Sequence, residues 1–162
     1  MSLAIMNISS ALIQRHAVAE ILSCNEFTAK FGLILSRLDA IELVETRTKT
    51  LKSTGRVEFG GGVIEKLIRE FCTSYYISRH NYVETLHGLI EIFYYYKNET
   101  LDLISDDELI KFMRKSFDEI CQGSLELLSG RELYNLARNL RYGFGPDCTE
   151  DYLEGDEEDG ES

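Results

Sequence analysis

Gly60-Gly61-Gly62-Val63-Ile64-Glu65-Lys66-Leu67-Ile68-Arg69-Glu70-Phe71-Cys72 is the stretch that decides the fold class. Val63, Ile64, Leu67, Ile68, Phe71 and Cys72 recur at three- and four-residue steps, which places them on one face of an α-helix. The same period continues on both sides. Towards the C-terminus, about His80 to Lys97 forms a long fourth helix, with Tyr82, Leu86, Leu89 and Phe93 on one side. Ser105-Asp106-Asp107-Glu108 is a capping-box pattern, in which the serine and the glutamate each satisfy a free backbone N–H. It opens a fifth helix carrying Leu109, Met113, Phe117 and Ile120 and ending at Gly123. A second box, Ser129-Gly130-Arg131-Glu132, opens the last helix through Leu133, Leu136, Ala137 and Leu140, closed by Gly143.

Towards the N-terminus the pattern is more mixed. Arg56-Val57-Glu58-Phe59 alternates as a strand does, and the reading pairs 33–35 with 57–59 as a short two-stranded β-ribbon. Ser36 caps a second helix with Asp39 in its first turn, and Gly55 ends it. Ser9 or Ser10 caps a first helix that runs to about Cys24. The single proline and the many Leu, Ile, Glu, Lys and Arg residues favour helix over a turn-rich β fold. The fold class is therefore all-α: a compact, irregular bundle of about six helices. One domain over 9–143 is expected, between an extension at 1–8 and a disordered acidic tail at 144–162. Met1–Leu3 reads as a cloning remnant, with Met6 the natural start.

Charge divides along the same boundaries. The net charge is −11, yet nine of the 28 carboxylates follow Pro146, where there is no Lys or Arg. Residues 1–146 keep 19 acidic against 17 basic residues, so the body is almost neutral. Nothing in this balance attracts nucleic acid or an anionic membrane. Cys24, Cys72, Cys121 and Cys148 are scattered without a C-x-x-C pair, which argues against a disulfide framework or zinc site and for a reducing cytoplasm. No run approaches the roughly 20 apolar residues that span a bilayer.

Four constellations could carry chemistry. Gly60-Gly61-Gly62 precedes a helix, whose free N–H groups and positive dipole end favour an anion, and Arg56 adds charge. No Lys-Ser/Thr follows as a phosphate loop requires, and Glu65 opposes an anion, so a sharp turn is the stronger reading. His80, Glu84, His87 and Glu91 form one helical stripe, and Glu84–His87 matches the Glu-x-x-His of di-iron bundles. The stripe lies opposite the apolar side of its helix and no second such motif exists, so a solvated face is expected. Of Phe93-Tyr94-Tyr95-Tyr96, Phe93 and Tyr96 are expected in the core and Tyr95 at the surface. Arg131, Arg138 and Arg141 share a face of the last helix and suit an anionic partner or the chain's own acidic tail. No nucleophile signature is present, and no cofactor or metal is expected.

Leu43-Val44-Glu45-Thr46-Arg47, Gly55–Gly62, Phe93–Thr100 and Ile104–Leu109 resemble a small uncharacterised family from anaerobic Gram-positive bacteria, catalogued as a domain of unknown function. The resemblance covers about residues 9–143 and implies a bacterial cytoplasmic protein, with no activity, substrate or catalytic residue attached. The residues favour a non-catalytic interaction or accessory protein whose partner is another protein. The alternative is a small enzyme or ligand-binding protein with an anion pocket at Arg56 and Gly60–Gly62. The apolar side of the fourth helix fits internal burial and a homo-oligomer equally.

Overall fold

The computed structural model describes residues 2–145, with side chains from Leu12 onward apart from Ile13. Its elements are α1 (Ser2–Ser23), α2 (Asn25–Thr28) with a 3-10 turn (Ala29–Phe31), α3 (Arg37–Thr54), α4 (Gly62–Phe71), α5 (Tyr82–Glu99), α6 (Asp106–Asp118), the single turn α7 (Leu125–Leu127), a π-helical turn (Leu128–Glu132) and α8 (Leu133–Arg141). Six of these are helices of more than two turns, and no strand occurs among the described residues.

Local chemistry explains most of the boundaries. Ser36 and Asp39 form a reciprocal capping box: the Asp39 N–H donates to Ser36 Oγ at 3.0 Å, and the Ser36 N–H donates to Asp39 Oδ2 at 2.9 Å. Gly55, with φ of +69°, ends α3 in the left-handed conformation. At α6 only half of the expected box forms. Ser105 Oγ accepts from the Glu108 N–H at 3.2 Å, but its own proton goes to the Glu108 carboxylate, which therefore does not turn back to the backbone.

Three expectations need correction. Leu33–Leu35 does not pair with 57–59. Asn25 clamps Leu35 instead, donating through Nδ2 to its carbonyl at 2.9 Å and accepting its N–H at 2.8 Å. Thr28 Oγ1 takes the Leu33 carbonyl at 2.6 Å. Side chains thus supply the partners a neighbouring strand would have supplied, and Val57 and Phe59 stay exposed at 79% and 68%. Ser129 opens no helix, because it lies inside the π-helical turn. The cap is one turn earlier, where the Leu127 N–H donates to Ser124 Oγ at 3.2 Å. Finally, α1 starts at Ser2 and not at Ser9 or Ser10. The tail from Pro146 lies outside the described residues.

One hydrophobic core joins all the long helices, with Ile21, Leu43, Ile64, Leu67, Leu86, Leu89, Phe117 and Leu136 fully buried. α3 and α5 run side by side in the same direction. Thr46 Oγ1 meets His87 Nδ1 at 2.7 Å near their middles, and Asn98 Nδ2 meets the Thr54 carbonyl at 3.4 Å near their ends. α6 is pinned to α4. Phe71 and Phe117 meet edge to face at 5.4 Å, and Arg114 donates to the Glu70 carbonyl and to Thr73 Oγ1 while pairing with Asp118 at 2.5 Å. That guanidinium takes up the Glu70 carbonyl, left free at the end of α4.

Candidate functional site

The glycine turn is occupied by the chain's own anions. The Gly61 N–H donates to Glu20 Oε2 at 2.9 Å and the Val63 N–H to Glu58 Oε1 at 2.7 Å. Gly60 and Gly62 adopt φ of +63° and +48°, and a Cβ on Gly62 would overlap the Glu58 carboxylate. Glycine is needed here both for the backbone turn and for the approach of that side chain. Arg56 faces away from the turn, donating through Nε to Asn98 Oδ1 at 2.7 Å and through Nη2 to Asp102 at 2.8 Å. The anion site read from Arg56, Gly60, Gly61 and Gly62 is thus split. Its donors hold internal carboxylates, and its cation is paired elsewhere.

Arg56 lines a cleft of about 360 Å³ beside the turn, together with Leu51, Glu58, Tyr94, Lys97 and Asp106. Glu58 is its central anion, accepting also from Arg47 Nη1 at 3.3 Å and from the Tyr94 hydroxyl. Burial, and then the bond to Glu58, raises the Tyr94 phenol well above its usual value, so Tyr94 stays a donor. Lys97 donates to the Ile104 carbonyl and pairs with Asp106 at 2.9 Å. Cations and carboxylates balance across the cleft. Arg47 is only 3% exposed, and its Nε has no hydrogen-bond partner among the described residues.

A second acidic contact joins α1 to α4. The Gly61 N–H holds the Glu20 carboxyl below its ordinary range, aided by Glu65, whereas burial and Glu20 push the Glu65 carboxyl up. His16 Nε2 lies 2.6 Å from Glu20 Oε1.

Of the three arginines read as one face of the last helix, only Arg138 and Arg141 lie in α8, because Arg131 falls in the π-helical turn before it. Arg131 pairs with Glu132 at 2.8 Å, and Arg141 bonds to the Glu99 carbonyl at 3.1 Å, tying α8 to the end of α5. Arg138 is half-buried on the same face. Beside the π-helical turn is a shallow groove of about 440 Å³, lined by Glu91 and Ile92 of α5 and by Leu125, Glu126 and Gly130. In the His/Glu stripe, His80, Glu84 and Glu91 are exposed, while His87 is half-buried against Thr46. Phe93 and Tyr96 are buried and Tyr95 exposed, as the helical period requires. Burial raises the thiols of Cys24, Cys72 and Cys121, which keeps them protonated and inert.

At the N-terminal end of the α3–α5 pair is a surface of different character. Phe27 and Phe31 meet edge to face at 6.0 Å, both partly exposed. Lys30 Nζ lies 4.5 Å from the centre of the Phe27 ring and 5.3 Å from that of Phe31. The Arg69 guanidinium reaches the Phe27 ring from α4 at 5.6 Å. Neither cation forms an ion pair among the described residues, and Ile34 and Leu38 of the adjoining segment are each more than 60% exposed.

Sequence reasoning missed the buried polar set, although a signal was present. Arg47 falls on the same stripe as Ala40, Leu43, Val44 and Leu51, and Lys97 on that of Leu86, Ile90 and Phe93. A charge on an apolar stripe demands a buried counter-charge. Phe27, Lys30 and Phe31 are likewise one helical turn in the sequence, but Arg69 joins them only through the fold.

This arrangement defines a helical protein whose buried Arg47 and Lys97 are paired with carboxylates of the same chain. Residues 20–146 match the family described as "Family of unknown function (DUF6323)", and the chain belongs to that family. Neither a curated protein nor a solved structure matches it.

Proposed function

We propose that the chain is a non-catalytic interaction or accessory protein of the bacterial cytoplasm, binding another protein through Phe27, Lys30, Phe31, Ile34, Leu38 and Arg69. The observation that carries this reading is the pair of cations stacked on exposed phenyl rings, neither of which forms an ion pair among the described residues. Rings with cations over their faces form a rigid amphipathic platform. Aromatic and arginine side chains are also the types that dominate binding energy at interfaces. A partner presenting apolar side chains flanked by carboxylates is its complement. No helix among the described residues is long and apolar enough to cross a membrane.

The test is affinity purification from the source cell with the wild-type chain and with Lys30→Glu/Arg69→Glu. A discrete protein retained by the first and lost by the second supports the reading. A partner retained equally by both contradicts it.

The cleft at Arg56, Glu58, Tyr94, Lys97 and Asp106 supports a second reading, a small-ligand site with both charge signs. Native mass spectrometry of the purified chain tests it: a bound metabolite displaced by Lys97→Met favours this reading, and an unliganded mass spectrum counts against it.

A further inference from the structure

The cationic platform has a complement on the chain itself. The groove beside the π-helical turn has an apolar floor from Ile92 and Leu125, and Glu91 and Glu126 stand at its rim. Both glutamates are exposed, and neither forms an ion pair among the described residues. The platform offers the converse: phenyl rings with Lys30 and Arg69 above them.

The two surfaces belong to different parts of the fold. The platform is built by the α2 turn and α4, whereas the groove lies between α5 and the π-helical turn. The π-helical geometry widens the last connection by one residue per turn, and π turns recur at functional positions. Gly130, at the groove's edge, has open space where a Cβ would be, so the opening is not filled from within.

We infer that the platform of one copy docks in the groove of a second copy, with the phenyl rings against Ile92 and Leu125 and Lys30 and Arg69 against Glu91 and Glu126. The occupant is a second copy of this chain because charge and apolar character match on both sides. The body's near-neutral charge also removes a strong repulsion between bodies. The contact is heterologous, joining one surface to a different one, so it propagates head to tail unless the rotation closes a ring. This inference rests on the interaction reading of the platform and adds a partner to it.

The experiment is a charge swap between two full-length variants, Lys30→Glu/Arg69→Glu and Glu91→Lys/Glu126→Lys. All four side chains are exposed, so both variants are expected to fold, as a thermal melt checks. Each variant alone faces like charges across the contact and sediments as a monomer. Mixed in equal amounts, they regain acidic-to-basic contacts, and association returns in analytical ultracentrifugation. A mixture that sediments as its separate components overturns the inference, as does a wild-type chain whose association neither variant weakens. Those results leave the interaction reading standing, because it is judged by retention of a different protein.

Discussion

Glu58 and Val63 define the entrance to α4: the Glu58 carboxylate accepts the Val63 N–H at 2.7 Å, five residues on and at the positive end of the helix. The same carboxylate takes Arg47 and Tyr94, so one loop residue neutralises a helix terminus and a buried guanidinium together.

Removing it therefore leaves three donors without their acceptor: the Val63 N–H, Arg47 and Tyr94. Glu58→Ala is expected to cost about 2–4 kcal/mol, the penalty for stranding a buried charge, and to lower Tm by about 5–15 °C. Added phosphate or sulfate should recover part of that loss in the variant and change the wild-type little, because the vacated helix end accepts an external anion. A thermal melt with and without phosphate measures both effects.

Gly62 and Gly130 provide a paired comparison. Gly62→Ala places a Cβ into the Glu58 carboxylate at a positive φ, and about 1–3 kcal/mol of stability should be lost. Gly130→Ala has open space at the same atom and should shift Tm by less than about 3 °C. Denaturant titration of the two variants checks the contrast.

In the Glu20–Glu65 contact, Glu65 makes stability depend on pH in a direction opposite to most carboxylates, whereas Glu20, held low by the Gly61 N–H, acts in the usual direction. The folded state raises the Glu65 carboxyl, so its contribution is present below the ordinary glutamate range and is lost as pH rises through the raised value. Glu65→Gln should therefore raise Tm at neutral pH by about 1–3 °C, given partial solvent screening. At acidic pH, where Glu65 is protonated, the variant and wild-type should melt together. An equal gain at both pH values would contradict the assignment.

Asn139 is 1% exposed, and neither its Oδ1 nor its Nδ2 has a hydrogen-bond partner among the described residues. An unsatisfied buried amide costs about 1–3 kcal/mol. Asn139→Leu, close in shape and without polar atoms, is expected to raise Tm by a few degrees. A fall in Tm on scanning calorimetry would show that the amide is satisfied in solution.

Helical period in the sequence was enough to locate the six long helices, because each carries an apolar stripe and α3 carries a full cap at Ser36. The strand reading of Leu33–Leu35 and Val57–Phe59 failed for a physical reason. Alternation reports which residues face inward, but not whether a strand or the Asn25 and Thr28 side chains satisfy the backbone. The Ser129 box failed similarly, since a serine three residues before a glutamate occurs inside a helix as readily as ahead of one. At the glycine turn the sequence exposed the N–H groups but not their occupants, because Glu20 arrives from about 40 residues away. Arg47 and Lys97 were legible as charges on buried faces. Their partners were not, as these come from separate segments.

The most direct test of the interaction reading is photo-crosslinking in the source cell from a benzoylphenylalanine placed at Phe31. The platform predicts a crosslink to one protein, on a segment of apolar residues flanked by carboxylates, which disappears when Lys30→Glu/Arg69→Glu is added. A crosslink to a basic segment, an undiminished crosslink in the charge-reversed chain, or labelling of lipid alone would contradict it.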